Sequence, residues 1–93
     1  MIESFKCQET ELIWNGVVSR KLQRDMQQVA RRKLRMLNNA KVINDLRIPP
    51  NNRLEALKGK RKGQHSIRIK QPWRICFIWI NGTANQVEIV DYH

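Results

Sequence analysis

Asp91, Tyr92 and His93 stand together after a strand-like run, Val87 to Val90, in a chain of 93 residues whose formal net charge is +10. A carboxylate, a phenol and an imidazole are groups that move protons, and an excess of Lys and Arg is what holds phosphates. RNA joins the two properties, because it carries its own nucleophile, the 2′-hydroxyl beside each phosphodiester. Cleavage then needs a base for that proton, an acid for the departing 5′-oxygen and a cation for the phosphorane, with no metal and no cofactor. The expected products are a 2′,3′-cyclic phosphate and a free 5′-hydroxyl. His93 suits either proton role near neutral pH. Asp91 and Glu55 suit a base or a group that orients a ring, and Tyr92 can donate a proton or stack on a nucleobase. In an ideal strand Asp91 and His93 point one way and Tyr92 the other, so the three converge only if the chain leaves the sheet near Asp91. The competing reading of the tripeptide is a frayed polar tail.

The cations are unevenly placed. Residues 20–41 hold eight basic side chains against Asp25, and residues 53–74 hold eight against Glu55, so two blocks carry the whole excess. Such a field attracts polyanions and speeds their encounter, without distinguishing RNA, DNA or an acidic protein. Alternation over residues 64–70 puts Ile67 and Ile69 on one face and Ser66, Arg68 and Lys70 on the other. Residues 73–80 likewise separate Trp73, Ile75, Phe77 and Trp79 from Arg74 and Cys76. Arg68, Lys70 and Arg74 are therefore expected on one open sheet face, where the planar fork of Arg74 could stabilise a pentacoordinate phosphate. The alternative is a solvated face whose charges serve solubility. A basic loop over residues 58–63 adds Lys58, Lys60, Arg61 and Lys62.

The elements that would carry these groups follow in order. Residues 2–6 read as a first strand, residues 9–15 as a short helix stopped by Gly16, and residues 19–40 as a longer helix capped by Ser19. Arg24, Gln28, Arg31, Arg32 and Arg35 form its outer face, a surface for ribosomal RNA or for an acidic partner. Pro49 and Pro50 break the pattern, and residues 53–57 have the look of a strand. Strands over residues 64–70, 73–80 and 84–91 follow, the last two joined by a hairpin turn at Asn81 and Gly82. The expected fold is α+β in the order β-α-α-β-β-β, two N-terminal helices on one face of a small, mainly antiparallel sheet. His65 is expected half-buried and hydrogen-bonded, Cys76 a small apolar filler, and the tryptophans of residues 73–80 core.

Length bounds the chain to a single domain, residues 1–93, and a 41% hydrophobic composition argues against disorder. Cys7 and Cys76 lack metal-site or disulfide spacing, which fits a reducing cytoplasm. No basic start followed by an apolar stretch is present, and the longest apolar run is residues 75–80, so secretion and membrane insertion are not expected.

Four segments together resemble the HigB toxins of the RelE superfamily, the toxin halves of type II toxin-antitoxin pairs. They are residues 53–59 (RLEALKG), 63–69 (GQHSIRI), 73–77 (WRICF) and 87–93 (VEIVDYH). The resemblance implies a RelE-like fold and a ribosome-dependent endoribonuclease that cuts mRNA in the A site. It also implies neutralisation by a HigA-like helix-turn-helix antitoxin, with DNA contacted only through the complex. By position the family's site residues fall on Asp91, Tyr92, His93, Arg74 and Lys58. Some relatives have a histidine where this chain has Glu55, and a carboxylate can replace imidazole as a base without supplying its positive charge. The reading from another class is a non-catalytic RNA- or DNA-binding module.

Overall fold

Thr10 and Ile13 give the first helix its buried stripe, and the short range of that stripe limits its length. In the computed structural model, which describes residues 1–92, α1 is Gln8–Trp14, with the Cys7 thiol accepting from the Thr10 amide at its start. Gly16, at φ +85°, turns the chain away, a conformation that costs a glycine little. The second helix is shorter than its sequence pattern. α2 is Gln27–Asn39, entered through a 3₁₀ turn at Arg24–Met26. Ser19 does not cap it. The Gln27 side chain accepts from the Ser19 amide at 2.9 Å and donates to the Ser19 carbonyl at 2.9 Å, while the Ser19 hydroxyl donates to Glu9. Those bonds pin Ser19 against the start of the helix as a buried partner of Gln27, so helical winding begins only after the pinned segment.

Met26, Ala30, Leu34 and Leu37 all have zero exposure and face a four-stranded antiparallel sheet in the order β1, β2, β3, β4. The strands are β1 Glu55–Ala56, β2 His65–Lys70, β3 Trp73–Ile80 and β4 Thr83–Asp91. Ile67, Ile75, Phe77, Ala84 and Val87, also at zero exposure, complete the core from the sheet side. Each large side chain of this kind contributes about 1.5–3 kcal/mol on burial. Trp14, Trp73 and Trp79 pack on its margin, half-buried, and the Trp73 indole donates to the Gln23 side chain at 2.9 Å. No helix among the described residues is long and apolar enough to cross a membrane.

The α+β architecture is as expected, with two changes of detail. The strand expected over residues 53–57 is only Glu55–Ala56, and it pairs with β2 at the margin of the sheet. Residues 2–6 do not form a continuous strand; Ile2 and Phe5 bridge Ala84 and Val87 in parallel fashion along the outer edge of β4. The ladder is interrupted because β4 bulges at Gln86, at φ +53°, whose amide turns to the Ser4 hydroxyl. That bulge also puts both Ala84 and Val87 inward.

Candidate active site

The register across the sheet lays out the face opposite the helices. Glu55, Ser66, Cys76 and Glu88 form one row across four strands, and Arg68, Arg74 and Val90 the next. This face is not open as its alternation implied. Arg74 is only 8% exposed, and Ser66 and Cys76 are fully buried, because the segment following β1 folds back over the sheet. Arg61, from a 3₁₀ turn at Gly59–Arg61, reaches across to donate to Glu88 at 2.8 Å and to Gln64 at 3.2 Å. The hydrogen bond to Glu88 holds the Arg61 guanidinium above its usual pKa, and burial pushes the Cys76 thiol up.

Arg74 is fixed from three directions. Its Nε donates to the Ser66 hydroxyl at 2.7 Å, and its Nη2 donates to the Arg53 carbonyl at 2.6 Å and to the Ser66 carbonyl at 3.5 Å. Nη2 also lies 3.6 Å from the Glu55 carboxylate, which is half exposed. The Arg53 carbonyl is available because Arg53 adopts φ +47° after a 3₁₀ turn at Pro50–Asn52. Asn52 anchors that turn, fully buried, donating to the Leu46 carbonyl at 3.1 Å and accepting from the Lys33 ammonium. Burial, with Arg32 adding repulsion, lowers the Lys33 pKa. A guanidinium held this way needs no reorganisation when a phosphate arrives.

Around the pair, Lys58, Lys60 and Lys62 are exposed on the loop, and Arg68 is half-buried across from Arg74. Lys70 does not join them. A register shift between Arg68 and Lys70 moves Lys70 into the row of Trp73, and its ammonium pairs with Asp25 at 3.1 Å. Asp91 likewise pairs with Trp73 in register, so β4 stays in the sheet where convergence required it to leave. Tyr92 follows, half-buried, with its amide donating to the Pro72 carbonyl at 3.0 Å and its phenol close enough to Arg61 to raise that guanidinium's pKa. His93 lies outside the described residues. Arg32 and Arg35 are exposed on the outer face of α2, and Arg31 is half-buried beside them. His65 stacks on Phe77, and its buried Nδ1 has no hydrogen-bond partner among the described residues, where a satisfied ring was expected. Among the described residues no group of three or more His, Cys, Asp or Glu side chains could hold a metal ion.

Ser66, the Arg53 carbonyl and Glu88 do not stand out in the sequence as functional. The parity that put Ser66 on the face of Arg74 was a usable signal for the first. The carbonyl depends on a left-handed residue, which no side-chain pattern announces.

This arrangement has relatives. Residues 4–93 match the family described as the RelE-like toxin of type II toxin-antitoxin system HigB. The chain belongs to the HigB-like toxin family. It is 37% identical over 98 aligned positions to the Endoribonuclease HigB of Proteus vulgaris, with both chains covered in full. It is 49% identical over 53 residues to Toxin HigB-1 of Vibrio cholerae, a match spanning 57% of this chain and only 56% of that protein. The fold also resembles the Staphylococcus aureus YoeB-YefM toxin-antitoxin complex, with a TM-score of 0.61 at 14% identity over the whole of this chain and 98% of the other. The toxin therefore has the two-helix, antiparallel-sheet fold of RelE-like proteins.

Proposed function

We propose that this toxin is an mRNA endoribonuclease that acts in the cytoplasm on message held by the ribosome, with a HigA-like helix-turn-helix antitoxin as its partner. The observation that carries the reading is the Arg74 guanidinium, fixed by Ser66 and Arg53 with the Glu55 carboxylate 3.6 Å away. A cation and a base then meet one phosphodiester from the same side. Glu55 takes the 2′-hydroxyl proton, the 2′-oxygen attacks phosphorus, and Arg74, with Arg68 and Lys58, stabilises the extra charge of the phosphorane. The bond to the 5′-oxygen breaks as His93 delivers a proton to it, leaving a 2′,3′-cyclic phosphate and a 5′-hydroxyl. Tyr92 orients or stacks a base beside the scissile bond. Asp91, in the row of Trp73, acts on His93 rather than on the phosphate. Lys60, Lys62, Arg32 and Arg35 hold the nucleic-acid backbone by charge, a contribution that falls as salt rises.

The test is to map mRNA 5′ ends after brief induction and to repeat it with Arg74→Lys. Lysine keeps the charge and loses the fork, so cleavage falls about 10²- to 10³-fold, the cost of one preorganised transition-state donor. His93→Ala costs about 10²- to 10⁴-fold, as removal of a proton-transfer group does. New 5′ ends that persist unchanged in a folded Arg74→Lys protein would remove Arg74 from the mechanism, and their absence on induction of the wild-type toxin would leave only a binding module.

A further inference from the structure

On the helix side of the sheet, away from Arg74, the chain leaves α1 at Gly16 and crosses in front of α2. Val17 and Val18 are 51% and 52% exposed there, adjacent in the chain and open to solvent. With Ile13 at its floor and Arg24, Gln28 and Arg31 along its wall, this segment encloses a groove of about 230 Å³. No carboxylate lines it.

The groove is incomplete as a polar structure. The Nε of Arg31 is shut away from water and has no hydrogen-bond partner among the described residues. The rest of its guanidinium lies over Gly16, where an added Cβ would sit 2.9 Å from Nη2. A guanidinium N–H left without an acceptor is costly, and a small rotation of Arg31 toward the groove would let it meet a carboxylate, the acceptor that matches its charge and its fork. The α2 wall of the groove belongs to the first basic block, residues 20–41, where Asp25 is the single acid against eight cations.

We propose that this groove is the docking surface for the antitoxin, which fills it with a segment offering a carboxylate to Arg31 and Arg24 beside branched or aromatic side chains that cover Val17 and Val18. The assignment rests on the toxin reading above. Exposed valines supply apolar area and the arginines supply register, the usual division between the core and the rim of an interface.

The experiment measures the affinity of purified toxin for its cognate antitoxin by calorimetry, with cleavage of ribosome-bound mRNA and thermal melting followed in parallel. Val17→Asp and Val18→Asp, both at exposed positions, weaken antitoxin binding at least tenfold each and at least a hundredfold together. Melting and mRNA cleavage stay at wild-type values. Val42→Asp, at another exposed valine outside the groove, leaves affinity unchanged. As a second readout, alkylation of Val18→Cys slows when antitoxin is added. Wild-type affinity in the double variant, or unchanged alkylation of Val18→Cys in the complex, overturns the groove assignment. Failure of the wild-type toxin to cut mRNA would instead overturn the nuclease reading and leave the affinity result standing.

Discussion

Ser66 supports Arg74 without being placed to touch substrate, so replacing it separates positioning from chemistry. Ser66→Ala removes the hydroxyl that accepts from Arg74 Nε at 2.7 Å, at a site where Ser66 is fully buried and Arg74 is 8% exposed. The change leaves a charged donor buried without an acceptor, which costs about 1.5–3 kcal/mol. The carbonyls of Arg53 and Ser66 still hold Nη2, so the guanidinium shifts rather than escapes. For a domain this small a urea slope of about 1.5 kcal/mol per molar is reasonable, which puts the expected fall in midpoint at about 1–2 M. A guanidinium displaced by a fraction of an ångström also loses alignment with the phosphorane, and single-turnover cleavage on purified ribosomes should fall about 10- to 100-fold. Ser66→Thr keeps the acceptor and should recover most of both quantities. A midpoint that moves by less than about 0.3 M, together with an unchanged cleavage rate, would show that Arg74 is not held in place by this bond.

Two further outcomes follow from the same geometry. Lys33 is buried against Asn52 with its pKa lowered from 10.5, so between the lowered value and 10.5 the unfolded chain binds more protons than the folded one. Raising the pH through that window stabilises the wild-type protein, by about 1.4 kcal/mol for each unit of separation, and Lys33→Met should flatten this gain in urea melts taken from neutral to alkaline pH. The register shift after Arg68 makes neighbouring cations unequal: Arg68→Ala should slow mRNA cleavage about tenfold, a modest share of an electrostatic site, whereas Lys70→Ala should stay within twofold.

Much of this fold is legible because its helices and strands obey one period each. Ile67, Ile69, Ile75 and Phe77 alternate as a half-covered sheet must, and Ala30, Leu34 and Leu37 step by three and four, so both faces of the core can be marked without coordinates. What alternation cannot carry is a change of phase. The irregularity after Arg68, beside the tight turn to Trp73, moves Lys70, and that at Gln86, bonded to Ser4 at the far end of the chain, re-aims Val87. The start of α2 fails for a related reason: Ser19 has the chemistry of a cap, but a partner eight residues away claims its backbone. In the site, Arg74, Glu55 and the basic loop were readable by residue type and parity. The burial of Arg74 was not, since it depends on the Arg53 carbonyl meeting it across 21 residues.

The border of the sheet is closed in an unusual way. Along β4 the amides of Val87 and Ile89 are already taken by the Ser4 carbonyl and the Thr10 hydroxyl, while the opposite margin, β1, is two residues long. Among the described residues neither margin offers a run of free main-chain groups on which another polypeptide could zip. Pairing of its strands with those of another copy is thereby disfavoured, and at the sheet margins side chains are what a partner finds to recognise.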